Sequence, residues 1–527
     1  MADKQNDLLE LAEATDKPKF DDTAFFDAAD MVYNAGSFDA SQLNTPEARR
    51  LIAETVKQLN TAISSSVPHE VPEVVRYALE NNAFIFSGFK AFHTLREVGL
   101  SLTTDKGDIK PFEIFRRDVE KVNNQYNHNY LYAEYNHAVG ASLMAARWQQ
   151  IEADGDRYDL QYRTAQDDRV REDHAILHGT TLPPSDPFWA QYLPPNGWNC
   201  RCTAVQVRKG KYPQSDPALS MLRGQNCTEA AKQQIFRFNP GKDLKLFPPK
   251  HPYYKAPEAA KQIIEQMSEE QQREKRITEI IAELPDNLTD DQKKAIASHC
   301  FELEAKLGIT KGKPMSVEDA DKQSANPNHV EEFILDPNGS FVDKAGNHYR
   351  RNPDYDAKKH RRFSINCQTC APAYALRLLG FDIKAKGRTP GTKMDYLAYQ
   401  RSFEAWKNTD GTPAVPTLTY DWMQGKEYKQ MSPKRYEEYF NEVCKETGVY
   451  ILTIGWKGGG GHVTILQRFA DGTLSYIEPQ HFVESAGAKR SISELCNSGA
   501  TKPIRTRGIL RVDDKLFNTD FIDIFDK

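Results

Sequence analysis

Apolar residues recur at three-to-four spacing through residues 45–66, in EARRLIAETVKQLNTAISS, and again around residues 71–82, which predicts two amphipathic helices. The longest pattern of this kind runs from about Pro111 to Asp154. There Val119, Val122, Tyr126, Tyr130, Val139, Leu143, Trp148 and Ile151 form one stripe, which reads as core packing. Gly140 costs such a helix about 1 kcal/mol relative to Ala. It lies among small residues, where another helix could approach. The pattern then changes to strands, one at residues 160–164 and one in the alternating TAVQVR of 203–208, read as partners in one sheet. Residues 265–307 are highly charged with few large apolar positions, and predict a spacer or a solvated helical hairpin. A loop-rich stretch follows over 312–365, with a hairpin-like DPNGSFVDKAGNHY. Last come a helix CAPAYALRLLGF, a helical region at 434–447, and strands VYILTIGW, HVTILQRF and LSYIEP. One helix followed by an antiparallel sheet is an α+β pattern.

A chain of 527 residues is long enough for about three folding units. The polar tail of residues 1–20 reads as disordered, and Pro-rich and charged helical stretches over 211–309 read as a connector. That leaves a first domain at 21–210 and a last one at 310–527. Lys and Arg total 69 against 74 Asp and Glu, a net charge of -5, which gives no global attraction for nucleic acid or anionic membrane. The first residues lack a secretory pattern and no apolar run is long enough for a bilayer, so a cytosolic setting is expected. Eight cysteines, with one Cys-x-Cys and one Cys-x-x-Cys pair, point to metal binding or catalysis rather than a disulfide framework.

The densest chemistry lies between Tyr162 and Cys202. His174 and His178 are four apart and would share a helix face; with Cys200 and Cys202 they make a tetrahedral zinc set. The alternative is a packed, hydrogen-bonded knot in which His178 caps the helix end beside Gly179. Asp167 and Asp168 can pair with Arg169 and Arg171 across a turn. The string Y-x-T-A-x-D-x-R-V-R-x-x-H, then a Gly, F-W and P-P-N-G-W-N-C-R-C resembles the head-morphogenesis domain of the phage Mu F family of minor capsid proteins, over roughly residues 60–210. That resemblance implies a mostly helical domain with a small sheet, in a phage or prophage head near the portal. Portal and capsid proteins would be its partners, with packaged DNA a further one.

A second constellation follows about 170 residues later. Asn366-Cys367-Gln368-Thr369-Cys370 leads into a helix, where the positive end of the dipole populates thiolate, as a nucleophile requires. His462 stands in GGGGHVTILQRF at a strand start, and Glu478 opens Glu478-Pro479-Gln480 at the end of the next strand. Antiparallel neighbours joined by the ADG turn would bring Glu478 beside His462 to orient the ring. Cysteine, histidine, then an acid is the chain order of papain-like enzymes. Cys370 is the preferred nucleophile, with Pro372 placed in the first turn, and Cys367 is the alternative. The oxyanion donors are the nucleophile's own N–H with Gln368 or Gln480. The blander readings are a zinc knuckle of Cys367 and Cys370 with Cys444 and Cys496, and a strand-end His462 without a role.

N-C-Q-x-C, A-Y-x-x-R-x-x-G, G-H-V and the closing acid-P-Q resemble papain-fold toxin and deamidase-like domains attached to phage head proteins, over roughly residues 310–490. The family commonly has Asp where this chain has Glu478. The implied whole is a multidomain α+β protein: a mostly helical head domain, a helical connector and a C-terminal papain-like α+β domain. Its expected reaction is acyl transfer to water on a host protein, by deamidation of glutamine or by peptide cleavage, with no cofactor and no membrane partner. The alternative is a purely structural head protein with an inactive or metal-binding last domain. A third reading is DNA binding through KKHRR at 358–362 and the basic stretch 502–511.

Overall fold

The computed structural model describes residues 18–526 apart from 323–324, 344–345, 399–400, 425, 428–429, 456–459, 482–488 and 498–507. Most of the tail expected to be disordered, residues 1–17, therefore lies outside the described residues; Phe20 at its end is buried. The chain divides into two compact units, Met1–Gln272 and Arg273–Lys527. The stretch 211–309, expected as a separate connector, is shared between them.

The first unit is built on α1 (Asp22–Ala35), α2 (Pro46–Ser66), α3 (Glu73–Leu100), α4 (Phe112–Asn123) and α5 (Leu131–Asp154). Asp21 caps α1 by accepting from Thr23 N, and Gly36 ends it at φ 71. Thr45 caps α2 with Pro46 at its first position. The helix expected from 71 to 82 continues to Leu100 because Phe84, Phe86, Phe89, Phe92 and Leu95 are all buried, on more than one face, which hides the amphipathic period. The long helix expected from 111 to 154 is interrupted by a π-helical stretch, Asn124–Tyr130. Leu51, Ile52 and Leu59 of α2, Leu79 and Leu95 of α3, and Leu131, Ala138 and Ala145 of α5 share one core. Inside it Lys90 Nζ meets Glu134 Oε2 at 2.5 Å, both side chains buried. Gly140 faces a loop rather than a helix: a Cβ there would lie 3.5 Å from Pro195.

After α5 come β1 (Tyr158–Arg163), α6 (Glu172–Ala175), β2 (Thr181–Leu182), β3 (Thr203–Arg208) and α7 (Pro217–Cys227). The two strands expected to be partners pair antiparallel, Gln161 opposite Val205, and β2 lies on the other edge of β1 with Leu160 opposite Leu182.

α8 (Glu258–Glu283) crosses the division between the units, and α9 (Asp290–Leu307) opens the second behind a capping box of Thr289 and Gln292. This pair is not a solvated spacer. Ile280, Leu284, Leu288, Ile296, Cys300, Leu303 and Leu307 are buried in the second unit's core, a narrow stripe that the surrounding charges obscure in the sequence. A small exposed sheet follows, β4 (Phe333–Leu335), β5 (Phe341–Val342) and β6 (His348–Arg351), in the order β4-β6-β5. Next comes α10 (Cys367–Leu378).

The main sheet is antiparallel and six-stranded. Its strands are β7 (Thr417–Leu418), β8 (Gly448–Gly455), β9 (Gly461–Arg468), β10 (Leu474–Ile477), β11 (Lys489–Ser491) and β12 (Gly508–Arg511), in the order β11-β10-β9-β8-β12-β7. One face meets α10, with Tyr374 packed among Ile451, Val463, Ile465 and Ile477. The other meets α11 (Pro433–Val443), with Tyr436, Tyr439 and Phe440 against Tyr450, Leu452 and Leu466. Cover on both faces explains why β8 reads as an unbroken apolar run.

Candidate functional site

The α10 side of the sheet carries the cysteine, histidine and acid. In the β9–β10 hairpin Ile465 pairs with Ile477, and Gly472, at φ 82, turns the chain between them. This register lets the His462 Nε2–H donate to Glu478 Oε2 at 2.7 Å. Glu478 is buried, and its Oε1 accepts the Gln480 backbone N–H at 3.1 Å, so the carboxylate is held at both oxygens. Burial alone would push the His462 pKa down, but the Glu478 carboxylate and a hydrogen bond with the Cys367 thiol hold it well above the ordinary value. Burial likewise pushes Glu478 up, and His462 outweighs it, leaving the carboxyl below its usual range.

The two cysteines occupy different environments. The helix begins at Cys367, three residues before the preferred nucleophile, so Pro372 falls in its second turn rather than its first. Cys370 points into the core, is 0% exposed, and burial pushes its thiol well above the ordinary value. Cys367 is half-buried, sits at the first position of α10 with its thiol 3.7 Å from Gln368 Oε1, and lies near enough to His462 to help raise that ring's pKa. With Nε2 committed to Glu478, Nδ1 is the ring nitrogen left for that thiol. Cys444 and Cys496 belong to the core on the opposite face of the sheet, so no zinc knuckle joins them to α10.

The expected oxyanion amides are engaged elsewhere. The Gln368 amide donates to Met394 O at 2.8 Å, and the Gln480 amide donates to Asn366 Oδ1 at 3.2 Å. Asn366 in turn donates to Asn326 Oδ1 at 3.0 Å, and Asn326 donates to Gln480 O at 3.1 Å. This buried amide cluster ties the start of α10 to the segment after β10, and sequence reading missed Asn326 because nothing local marks it.

It also missed a trio beside the ring. His481 Nδ1 lies 3.2 Å from His329 Nε2 and 3.3 Å from Glu331 Oε1, while His329 Nε2 lies 3.1 Å from Glu331 Oε1. His329 Nδ1 faces Phe363 O at 3.3 Å. The three ligand atoms lie within 4.8 Å of one another, close enough to share a metal ion. Hydrogen bonds from His329 and His481 hold the Glu331 carboxyl far below its usual range. Of the basic features, residues 502–507 lie outside the described residues, and Arg511 pairs with Asp513 at 2.9 Å.

In the first unit, His174 is buried on α6, and its Nδ1 lies 3.5 Å from both Cys200 Sγ and Cys202 Sγ. His178 is not part of this cluster: its Nδ1 accepts from Thr164 N at 3.2 Å, because the chain turns at Gly179 back toward β1. The ligand atoms of His174, Cys200 and Cys202 lie within 4.8 Å of one another. Asp167 pairs with Arg201, at 2.6 and 2.5 Å, and that hydrogen bonding lowers its pKa to about 2. Arg171 turns inward, its guanidinium donating to Trp198 O and lying 3.3 Å from His174 Nε2. Gly197 makes room for it, since a Cβ there would lie 2.5 Å from Arg171 Nη1.

Residues 110–205 match the Phage Mu protein F like protein family, a segment that contains α4, α5 and most of the small sheet. Protein F of Escherichia phage Mu, assigned to capsid assembly, is 41% identical over 69 residues, 13% of this chain and 16% of that protein. The Mu-like prophage FluMu F protein of Haemophilus influenzae is 38% identical over 85 residues, 15% of this chain and 20% of that protein. No solved structure matches. This chain thus spans a fifth or less of the curated relatives it matches, and its first unit carries a segment similar to the phage Mu F family.

Proposed function

We propose that this chain is a head-assembly protein of a phage or prophage whose second unit carries a papain-like cysteine hydrolase. The likeness of residues 110–205 to the Mu F-like family, and a relative assigned to capsid assembly, support the first half. On this reading the first unit works with portal and capsid proteins, and with packaged DNA, in the virion head after passing through the host cytoplasm. Among the described residues no helix is long and apolar enough to cross a membrane.

The second half rests on one observation: a half-buried thiol at the start of α10 lies beside a histidine that a buried carboxylate holds at 2.7 Å. Glu478 favours the imidazolium form of His462, and the imidazolium beside Cys367 favours the thiolate, helped by the N-terminus of α10. The Cys367 sulfur attacks the carbon of a carboxamide or peptide carbonyl, with the first-turn amides of α10 facing the oxygen that gains charge. As the C–N bond breaks, the imidazolium gives its proton to the departing ammonia or amine. Water then attacks the thioester with the now neutral ring as base, releasing the acid and restoring the pair.

The test is mass spectrometry of host proteins after expression of the full chain, beside Cys367→Ala and Cys370→Ala. Glutamine-to-glutamate conversion in wild type and Cys370→Ala, but not in Cys367→Ala, gives a deamidase, and new chain termini give a protease. Identical host proteins in all three leave the purely structural reading.

A further inference from the structure

The geometry points to a zinc ion held by His174, Cys200 and Cys202, without His178, in the first unit. Zinc bonds nitrogen at about 2.0–2.1 Å and thiolate sulfur at about 2.3 Å, so in a tetrahedral site a ligating nitrogen and sulfur lie about 3.5–3.6 Å apart. His174 Nδ1 is 3.5 Å from Cys200 Sγ and 3.5 Å from Cys202 Sγ. The ligand atoms of all three residues lie within 4.8 Å of one another, and both cysteines are free of disulfides.

Two thiolates balance the charge of a divalent ion, and a neutral imidazole is the third ligand. The ion ties α6 to the segment that leads into β3. With three protein ligands, the fourth tetrahedral position is left for water or another donor. The metal-free alternative is a thiolate–imidazole cluster, with Arg171 donating to Nε2 and the Nδ1 proton directed at a sulfur.

The full chain, purified without chelator, should contain one zinc per chain by elemental analysis. Cobalt exchanged into it should give thiolate-to-cobalt absorption. His178→Ala should keep the full metal content, whereas His174→Ala and Cys202→Ser should lose most of it. In the wild type, Cys200 and Cys202 should resist a thiol reagent until a chelator is added, a reading that does not depend on any variant folding. A folded wild-type chain without zinc that takes up no cobalt overturns the site. Full metal content and unchanged cobalt absorption in Cys202→Ser overturns the ligand set.

Discussion

Replacing Glu478 with Gln removes the negative end of the second unit's dyad while keeping the side chain's size. The carboxylate is 8% exposed, and its 2.7 Å bond to His462 is charge-assisted. Hydrogen bonds to charged groups contribute about 1.5–3 kcal/mol, and a pKa unit corresponds to about 1.4 kcal/mol. Losing this one shifts the balance from the charged thiolate–imidazolium pair toward the neutral thiol and imidazole by about 10- to 100-fold. Alkylation with iodoacetamide, followed from mildly acidic to mildly alkaline pH by quantifying the Cys367 peptide, reads this directly. Wild type should react fast from mildly acidic pH upward. Glu478→Gln should follow the rising profile of an ordinary thiol, with its midpoint near about 8.5. Coinciding profiles would refute the reasoning, as would a label that lands first on Cys370.

Other consequences follow from the same structure. His462 is held above its ordinary value, so its contribution to stability is complete below about pH 6.5, the unfolded value, and fades as pH rises through the folded one. Glu478 is held below its ordinary value, so its contribution is present above about pH 4.3 and fades as pH falls through the folded one. Urea denaturation should therefore show the largest gap between wild type and Glu478→Gln from mildly acidic to neutral pH. In the first unit, Lys90→Ala strands the buried Glu134 and should cost about 3–5 kcal/mol, whereas Lys90→Met with Glu134→Leu should recover most of it in the same measurement. Gly241→Ala places a Cβ 2.1 Å from Trp148 Cβ, and should lower stability by about 1–3 kcal/mol through forced repacking, seen as a lower melting temperature.

Local signals were legible where one residue's neighbours carry the constraint. Thr45 with Pro46 marks the start of α2, TAVQVR alternates as a half-buried strand does, and the ADG turn with its Gly472 closes the β9–β10 hairpin. Because that hairpin register follows from turn and alternation, the meeting of His462 with Glu478 could be read before any fold was known. α8 and α9 misled because their buried residues form a thin stripe within a charged background, and burial depends on what lies opposite.

The choice between the paired cysteines turned on the helix start. Propensity and capping leave a boundary uncertain by a few residues, and three residues are nearly a full turn, enough to carry a side chain from the core to the site. Cys367 and Cys370 look interchangeable as letters, and only the packing of α10 on β9 separates them into a half-buried thiol and a core one. Long-range partners were beyond the reach of spacing altogether. Asn326, His329 and Glu331 come to the dyad from more than 130 positions away, and His178 stays out of the His174 cluster because Gly179 turns the chain so that its imidazole faces Thr164. The chain's order of residues set the chemistry available and the hairpin that joins histidine to acid. Which thiol lies nearer that histidine, and which side chains gather around His174, depended on contacts between elements far apart in sequence, where burial and backbone approach decide and local periodicity carries no information.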